Sequence, residues 1–308
     1  MNEPPLILGI GELLWDILPG SMRLGGAPAN FAVMAARLGN HAAILSRVGR
    51  DELGRKTIEC LDPLPVDASF IQMDPAQETG RVTVVFEGGQ PHYTIHQPAA
   101  WDFLELTGPW AQLAKRADAL CFGSLAQRSP QSRQTIQALV AQTSATCVRV
   151  FDVNLRPPFI AGEVIRESLK LATVLKMNDS EAPQVLARLG LPDSSSSAPD
   201  QLRRAAEKLL AEFPSLRMVA VTRGAHGSLL VTRDEWHLHP GLPVQVADTI
   251  GAGDAFTAAM THYLLRGAGL ATLNEAGNRW GAWVASQSGA MPPLPDAVRV
   301  EIATAIEG

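Results

Sequence analysis

The chain has 308 residues, with 46% hydrophobic and 19% charged residues, and 26 Lys+Arg against 31 Asp+Glu give a net charge of −5. That balance supplies a large buried core, excludes a disordered or low-complexity chain, and fits one large domain or two small ones. No basic excess exists to neutralise phosphates along a duplex, which argues against a general nucleic-acid binder.

Cys60, Cys121 and Cys147 are few, odd in number and far apart, with no Cys-x-x-Cys pair for zinc or redox chemistry. The N-terminal stretch lacks a basic region, and Gly9, Gly11 and Glu12 interrupt its apolar run, so it does not read as a secretory signal. No run reaches the ~18 uncharged apolar residues of a membrane span. The expectation is a soluble, cytoplasmic protein.

In chain order, Leu6–Ile10, Ala42–Val48, Ala119–Phe122, Val148–Val153, Thr173–Met177 and Met218–Val221 read as buried strands. Between them Ala29–Leu38, Pro130–Ala141, Glu163–Leu171, Ala182–Leu189 and Gln201–Glu212 show helical periodicity. Strand–helix alternation predicts βαβ units, a mostly parallel sheet with helices on both faces, and ligands outside the carboxyl ends of its strands. One segment breaks the rhythm. Arg81–Glu87 and Gln90–Gln97 flank Gly88-Gly89, a hairpin signal too polar at alternate positions for a central parallel strand. It reads as a small antiparallel flap, with an edge hairpin of no further role as the alternative. Asp193–Asp200 reads as a surface loop, and no internal repeat is present.

The strongest chemical signal is Asp248–Phe256, DTIGAGDAF, followed by the apolar stripe Phe256, Ala259, Met260, Tyr263 and Leu264 of a helix. Gly251, Ala252 and Gly253 therefore sit at a helix N-terminus, where backbone N–H groups and the dipole favour an anion, with Asp254 at its mouth. An isolated Gly-x-Gly-Asp is also what an ordinary helix cap looks like. The second signal is Leu24–Asn40, LGGAPANFAVMAARLGN. Gly25-Gly26 bring bare backbone to a helix start, Pro28 suits its first turn, and Asn30 offers a donor and acceptors for a polyhydroxylated ligand. Asp16 falls just after the first strand, at the same end of the sheet.

Later strand ends carry the rest. Val150–Arg156 runs into Asn154 and Arg156, and Leu175–Glu181 places Asn178 and Glu181 three apart on the next helix's expected first turn. Val221–Gly227 leaves its strand with Thr222, Gly224 and Gly227, the equipment of a phosphate or nucleotide loop. Absences also decide. The chain contains no GxxxxGK[ST], no complete GxGxxG after a strand and no GxSxG, so P-loop, dinucleotide and α/β-hydrolase readings lose their signature. His237 and His239 would share one strand face, which suits an exposed strand as well as a metal site.

Taken together, these residues resemble the PfkB (ribokinase-like) family of sugar kinases. Gly25–Gly39 with Val48–Gly54 looks like the family's first signature and Asp248–Met260 like its second. The resemblance implies one three-layer ribokinase-like α/β domain over residues 1–308, with a mostly parallel central sheet. A small β-flap lid would come from about residues 12–24 and 76–101, with Val82, Val84 and Phe86 closing over the sugar. It further implies transfer of the γ-phosphoryl of ATP to a sugar hydroxyl. Asp254 matches the catalytic base, and Gly251, Ala252 and Gly253 the anion hole. Asn178 and Glu181 match a motif that holds Mg²⁺ largely through water. Thr222, Gly224, Gly227 and Asn278 match nucleotide positions, and Asp248 with the backbone near Ile250 and Gly289 looks like a site for a monovalent cation such as K⁺.

On the sugar side Asp16, Gly26, Asn30 and Arg156 match substrate positions. Gly25-Gly26-Ala27-Pro28 stands where members acting on phosphorylated sugars carry Gly-Gly-Lys-Gly, which argues for an unphosphorylated sugar. GELLWD, GGAPANF and DVNLR are most similar to fructokinases. A kinase for 2-keto-3-deoxygluconate or another ketose or sugar acid is the rival within the family, with Arg156 pairing a carboxylate. A non-catalytic sugar- or nucleotide-binding regulator is the rival from another class. The expected partners are the sugar and ATP, without nucleic acid or membrane, and the lid is a candidate surface for a homodimer.

Overall fold

A computed structural model of the protein describes residues 3–87, 90–159, 161–191 and 198–307. The chain runs β1 (Leu6–Ile10), β2 (Leu14–Leu18), β3 (Ser21–Gly25), α1 (Ala27–Arg37), β4 (His41–Leu45), β5 (Arg47–Gly49), α2 (Glu52–Leu61), β6 (Gln72–Asp74), β7 (Gly80–Glu87) and β8 (Gln90–Ile95). It continues through α3 (Gly108–Arg116), β9 (Ala119–Gly123), α4 (Pro130–Ala141), β10 (Val148–Asp152), α5 (Gly162–Leu171), β11 (Val174–Asn178), α6 (Ala182–Leu189), α7 (Pro199–Glu212) and β12 (Met218–Thr222). It closes with β13 (Ser228–Val231), β14 (Trp236–His239), α8 (Ala252–Leu264), α9 (Leu270–Ala285) and α10 (Asp296–Glu307).

The expected three-layer α/β architecture is present. An eight-stranded sheet has the order β14-β13-β12-β11-β10-β9-β1-β4, parallel from β12 to β4 and antiparallel at β13 and β14. Its strands read as continuous apolar runs because both faces are covered. Alternate side chains go to opposite cores. Leu8, Ile10, Phe122, Phe151, Leu175 and Val219 pack with α3 to α7, while Ile7, Ile44, Cys121, Val150, Val174 and Met218 pack with α1, α8 and α9. The carboxyl ends of β1 and β9 to β12 open on one edge, and the chain order reverses beside β1.

Two differences from the sequence reading have local causes. Ala42–Val48 is not one strand: it breaks at Ser46, whose hydroxyl donates to the Gly11 carbonyl at 2.7 Å. Beyond the break, β5 pairs with β6 in a two-stranded sheet of its own. His237 and His239 lie on edge strand β14, yet not in the open. His239 is buried, hydrogen-bonded to Glu275 at 2.8 Å and accepting from Gly241 N at 3.0 Å. The described residues contain no metal-binding group of three His, Cys, Asp or Glu. Gly88-Gly89 and residues 193–197 of the expected loop lie outside the described residues, and Pro199-Asp200 already belong to α7. No helix among the described residues is long and apolar enough to cross a membrane.

The flap forms a second sheet of order β3-β2-β7-β8, with β7 and β8 antiparallel and β2 parallel to β7. Val82 in β7 is buried; the side chains of Val84 and Phe86 lie outside the described set. Two anchors root this sheet. Trp15 Nε1 of β2 donates to Thr57 Oγ1 on α2 at 2.9 Å. Below β8, Arg128 donates to the His96 carbonyl at 2.9 Å, stacks over Trp101 at 3.9 Å, and forms a two-pronged pair with Asp102 at 2.7 and 2.8 Å. Both members of that pair are almost fully buried. Asp102→Ala should therefore cost about 3–5 kcal/mol, because it strands a buried guanidinium. A urea unfolding curve checks this, and a loss below about 1 kcal/mol would show that Asp102 does not hold the root of the flap.

Candidate active site

Two helices meet over the carboxyl edge of the sheet. The first, α1, is capped by Gly26 at φ +123, where a Cβ would stand 2.3 Å from the Glu12 carbonyl. The second, α8, is capped by Gly251 at φ +80, where a Cβ would meet Ala290 at 2.7 Å. Positive φ and backbone crowding together require glycine at both places. Neither N-cap makes a side-chain hydrogen bond. Asp254 is not the cap of α8 but the third residue of its first turn, and Asn30 Nδ2 of α1 donates to its Oδ2 at 2.7 Å. That bond joins two residues 224 positions apart.

Beneath Asp254 lies a buried ion pair that the motif reading missed. Asp152 at the end of β10 and Lys176 in β11 are register partners, 3.0 Å apart, and both are buried. Burial opposes the charge of Lys176, but Asp152, Asp254 and Glu181 outweigh it and hold the lysine above its ordinary value. Asp254 moves the other way. Burial, then the neighbouring charge of Asp152, raise it to about 6, with Lys176, Asn30 and Arg156 pulling back. A carboxylate so tuned is ionised at neutral pH yet more basic than a solvated one.

The sugar-side candidates converge around the same carboxylate. Glu12, buried after β1, is pushed up to about 7 by burial, against its own amide, the Ala27 amide and the charge of Arg156. Asp16 on β2 is raised by burial while Arg156 and Arg23 oppose. Arg156 is exposed at the rim, donating to the Leu155 carbonyl at 3.1 Å, and its charge is felt by Glu12, Asp16 and Asp254 alike. Glu12 Oε2 and Asn30 Oδ1 are buried without a hydrogen-bond partner. Buried acceptors are normally satisfied, so two such atoms in one place fit a ligand rich in hydroxyl donors.

On the other side of Asp254 a cleft of about 680 Å³ is lined by Asn178, Thr222, Gly224, Gly227, Gly253 and Asn278, among others. All four expected nucleotide residues thus share one cavity with the start of α8. Asn278 is part of its floor: its amide donates to Ser228 Oγ at 2.6 Å and to the Asn274 carbonyl at 2.7 Å, so that nitrogen is spent inside the protein.

The expected Mg²⁺ pair sits differently from its prediction. Asn178 ends β11 and Glu181 is the cap residue before α6, not within its first turn. Glu181 is buried and accepts the amides of Leu155 and Asn178, both at 2.8 Å, while Asn178 Oδ1 accepts from Glu181 N at 2.9 Å and Ser180 Oγ at 2.7 Å. With these lone pairs committed, the pair fits an ion that keeps its water shell, as Mg²⁺ does. Asp248 does not fit its expected cation. Its Oδ2 is in an ion pair with Arg23 and accepts the Gly289 amide at 3.2 Å, while Oδ1 accepts from Ile250 N at 3.0 Å. Glu12, Asp152, Lys176 and Arg23 are the residues that sequence reasoning passed over. A signal existed for one of them, since Lys176 is a lone charge inside an apolar strand.

Comparisons with known proteins show the family. The model of the pfkB family of carbohydrate kinases matches residues 19–297, and the chain belongs to that family. A sugar kinase of Pyrococcus horikoshii is 30% identical over 282 residues, 86% of this chain and 84% of that one. A structure of that protein, described as uncharacterized, superposes with a TM-score of 0.82 over 98% of this chain and 100% of its own. Fructokinase of Vibrio alginolyticus is 31% identical, covering 92% of this chain and 94% of the relative. Fructokinase of Vibrio cholerae, crystallised with fructose, ADP and calcium, has a TM-score of 0.81 at 27% identity, covering 98% and 99%. The protein is an ATP-dependent sugar kinase.

Two outcomes follow from the state of Asp254. The acid limb of kcat/KM should show an apparent pKa near 6, activity rising as the carboxylate ionises; a limb near 4 would place the titrating base elsewhere. Its folded value lies above the unfolded one, so its stabilising contribution is present below 3.8 and lost as pH rises through about 6. Asp254→Asn should accordingly raise Tm slightly at pH 8 while lowering turnover by ~10² to 10⁴. Near-wild-type turnover would remove Asp254 from the chemistry.

Proposed function

We propose that the protein transfers the γ-phosphoryl group of ATP to a hydroxyl of an unphosphorylated sugar, with fructose as the acceptor. The observation that carries this reading is the position of Asp254, hydrogen-bonded to Asn30 on the sugar side and adjoining the Gly253-lined cleft on the other. Asp254 takes the proton of the attacking hydroxyl, and its basicity comes from burial first and Asp152 second, against the charge of Lys176. The amides of Gly251, Ala252 and Gly253 face the charge that develops on the transferred group. Such a transfer needs positioning and charge stabilisation more than covalent chemistry.

The nucleotide lies in the cleft, with Thr222, Gly224 and Gly227 at its phosphates and Asn278 in the wall of the base pocket. Asn178 and Glu181 would hold Mg²⁺ through water, and the ion would supply charge neutralisation at the nucleotide phosphates. Asp16, Asn30 and the backbone at Gly26 grip sugar hydroxyls, and Glu12 completes that set through its unpartnered oxygen. The flap closes over the acceptor and excludes water, which would otherwise accept the phosphoryl group. Support for fructose comes from fructokinases among the relatives at about 30% identity. The exposed guanidinium of Arg156 favours a second reading, a kinase for a sugar acid such as 2-keto-3-deoxygluconate.

A coupled assay over a small sugar panel decides between them. Fructose should be phosphorylated with little ATP hydrolysis in its absence, and EDTA should abolish turnover. Asp16→Ala should weaken sugar binding by ~10- to 100-fold, the worth of a charged hydrogen bond, and leave ATP binding unchanged by calorimetry. If 2-keto-3-deoxygluconate is the better substrate and Arg156→Ala removes that preference, the second reading replaces the first.

A further inference from the structure

No sequence motif singles out Arg23. It lies on β3, the edge strand of the flap, directly opposite Asp16 of β2 in the register of the pair, so the two side chains share a face. From there the guanidinium reaches the main body. Nη1 forms the ion pair with Asp248 Oδ2, and Nη2 lies 3.4 Å from Ser288 Oγ. Asp248 belongs to the loop that leads into Gly251–Gly253, and the side chain is only 15% exposed. Three contacts converge on its charge, Arg23 and Gly289 N on Oδ2 and Ile250 N on Oδ1, while its backbone amide donates to the Ala285 carbonyl. The flap and the helix-start loop are thus joined by a charged contact spanning 225 residues of sequence.

We propose that Arg23 is the built-in counter-cation of Asp248, so that the Asp248–Gly253 loop is held in shape without a potassium ion. The proposal rests on the reading of Gly251–Gly253 as the phosphoryl cradle. A carboxylate already paired with a guanidinium and bonded to two amides has little to offer a weakly held monovalent ion, and that ion would meet a like charge at contact distance. The guanidinium also supplies what a diffusible ion lacks. It is tethered to the flap beside Asp16, so the position of the flap and the shape of the loop are coupled.

The experiment compares potassium chloride with choline chloride at equal ionic strength. Its readouts are the affinity for Mg²⁺ and a non-hydrolysable ATP analogue by calorimetry, and Tm. Neither needs a sugar, so failure of the fructose assignment leaves the test intact. The wild type should change by less than about twofold between the salts. Arg23→Gln should bind the analogue poorly in choline and recover by ~5-fold or more in potassium, the size of an ordinary coupling. Arg23→Lys should keep the wild-type indifference to potassium. Wild-type affinity that rises ~5-fold or more with potassium would overturn the proposal, as would an Arg23→Gln variant unaffected by the salt. If Arg23→Gln does not fold, the thallium-205 resonance of thallium(I), a potassium mimic, is followed against the wild-type nucleotide complex. The absence of a saturable site supports the proposal, and a saturable site lost in Asp248→Asn sinks it.

Discussion

A buried lysine, Lys176, stands among the carboxylates at the centre of the candidate site. Lys176 stands in the middle of an apolar strand, where an unpaired ammonium would be too costly to keep charged. It remains charged because Asp152, its neighbour in register on β10, together with Asp254 and Glu181, surrounds it. Three carboxylates around one cation leave an excess of negative charge. That excess falls on Asp254, which burial and Asp152 raise to about 6. Burial is the larger cause of that basicity, and the pair beneath it acts in both directions, Asp152 raising the value and Lys176 lowering it.

The rest of the architecture converges on that carboxylate from two sides. Parallel strands all end on one edge, and α1 and α8 start there, so backbone amides point at a common place. The Asn30–Asp254 hydrogen bond locks the two helix starts together. On one side Glu12, Asp16 and Arg156 form a charged, incompletely satisfied surface suited to hydroxyls. On the other, the Thr222–Gly227 turn and the first turn of α8 border a cleft of nucleotide size. Glu181 ties the two halves of the floor by accepting amides from Leu155 and Asn178.

This arrangement is locally unfavourable and globally supported. Glu12 is a buried carboxyl group, Asp254 a half-buried one raised by desolvation, and Glu12 Oε2 and Asn30 Oδ1 lack partners. Such groups lower stability and are tolerated because two continuous apolar cores clamp the sheet that carries them. The flap is rooted by different means, through Trp15 on α2 and the buried Arg128–Asp102 pair, so it approaches the edge of the sheet without forming part of either core.

The sequence by itself determined the central sheet and most of its helices, because fully buried parallel strands read as apolar runs and their helices carry 3.6-residue stripes. Pro130–Ala141 and Ala182–Leu189 form with the expected ends. It also determined the signature glycines, since the close approaches at Gly26 and Gly251 admit no side chain. The family, and with it the kinase activity, was legible for the same reason. What the tertiary structure decided were relations between distant residues. The split at Ser46 depends on the Gly11 carbonyl, the burial of His239 on Glu275 of α9, and the tuning of Asp254 on strands β10 and β11. The clearest case is Asp248, whose partner is a flap arginine 225 residues away. Local periodicity and motif spacing record how a segment folds and which backbone it needs, whereas a long-range ion pair leaves no trace in either until the sheet brings its two members into contact.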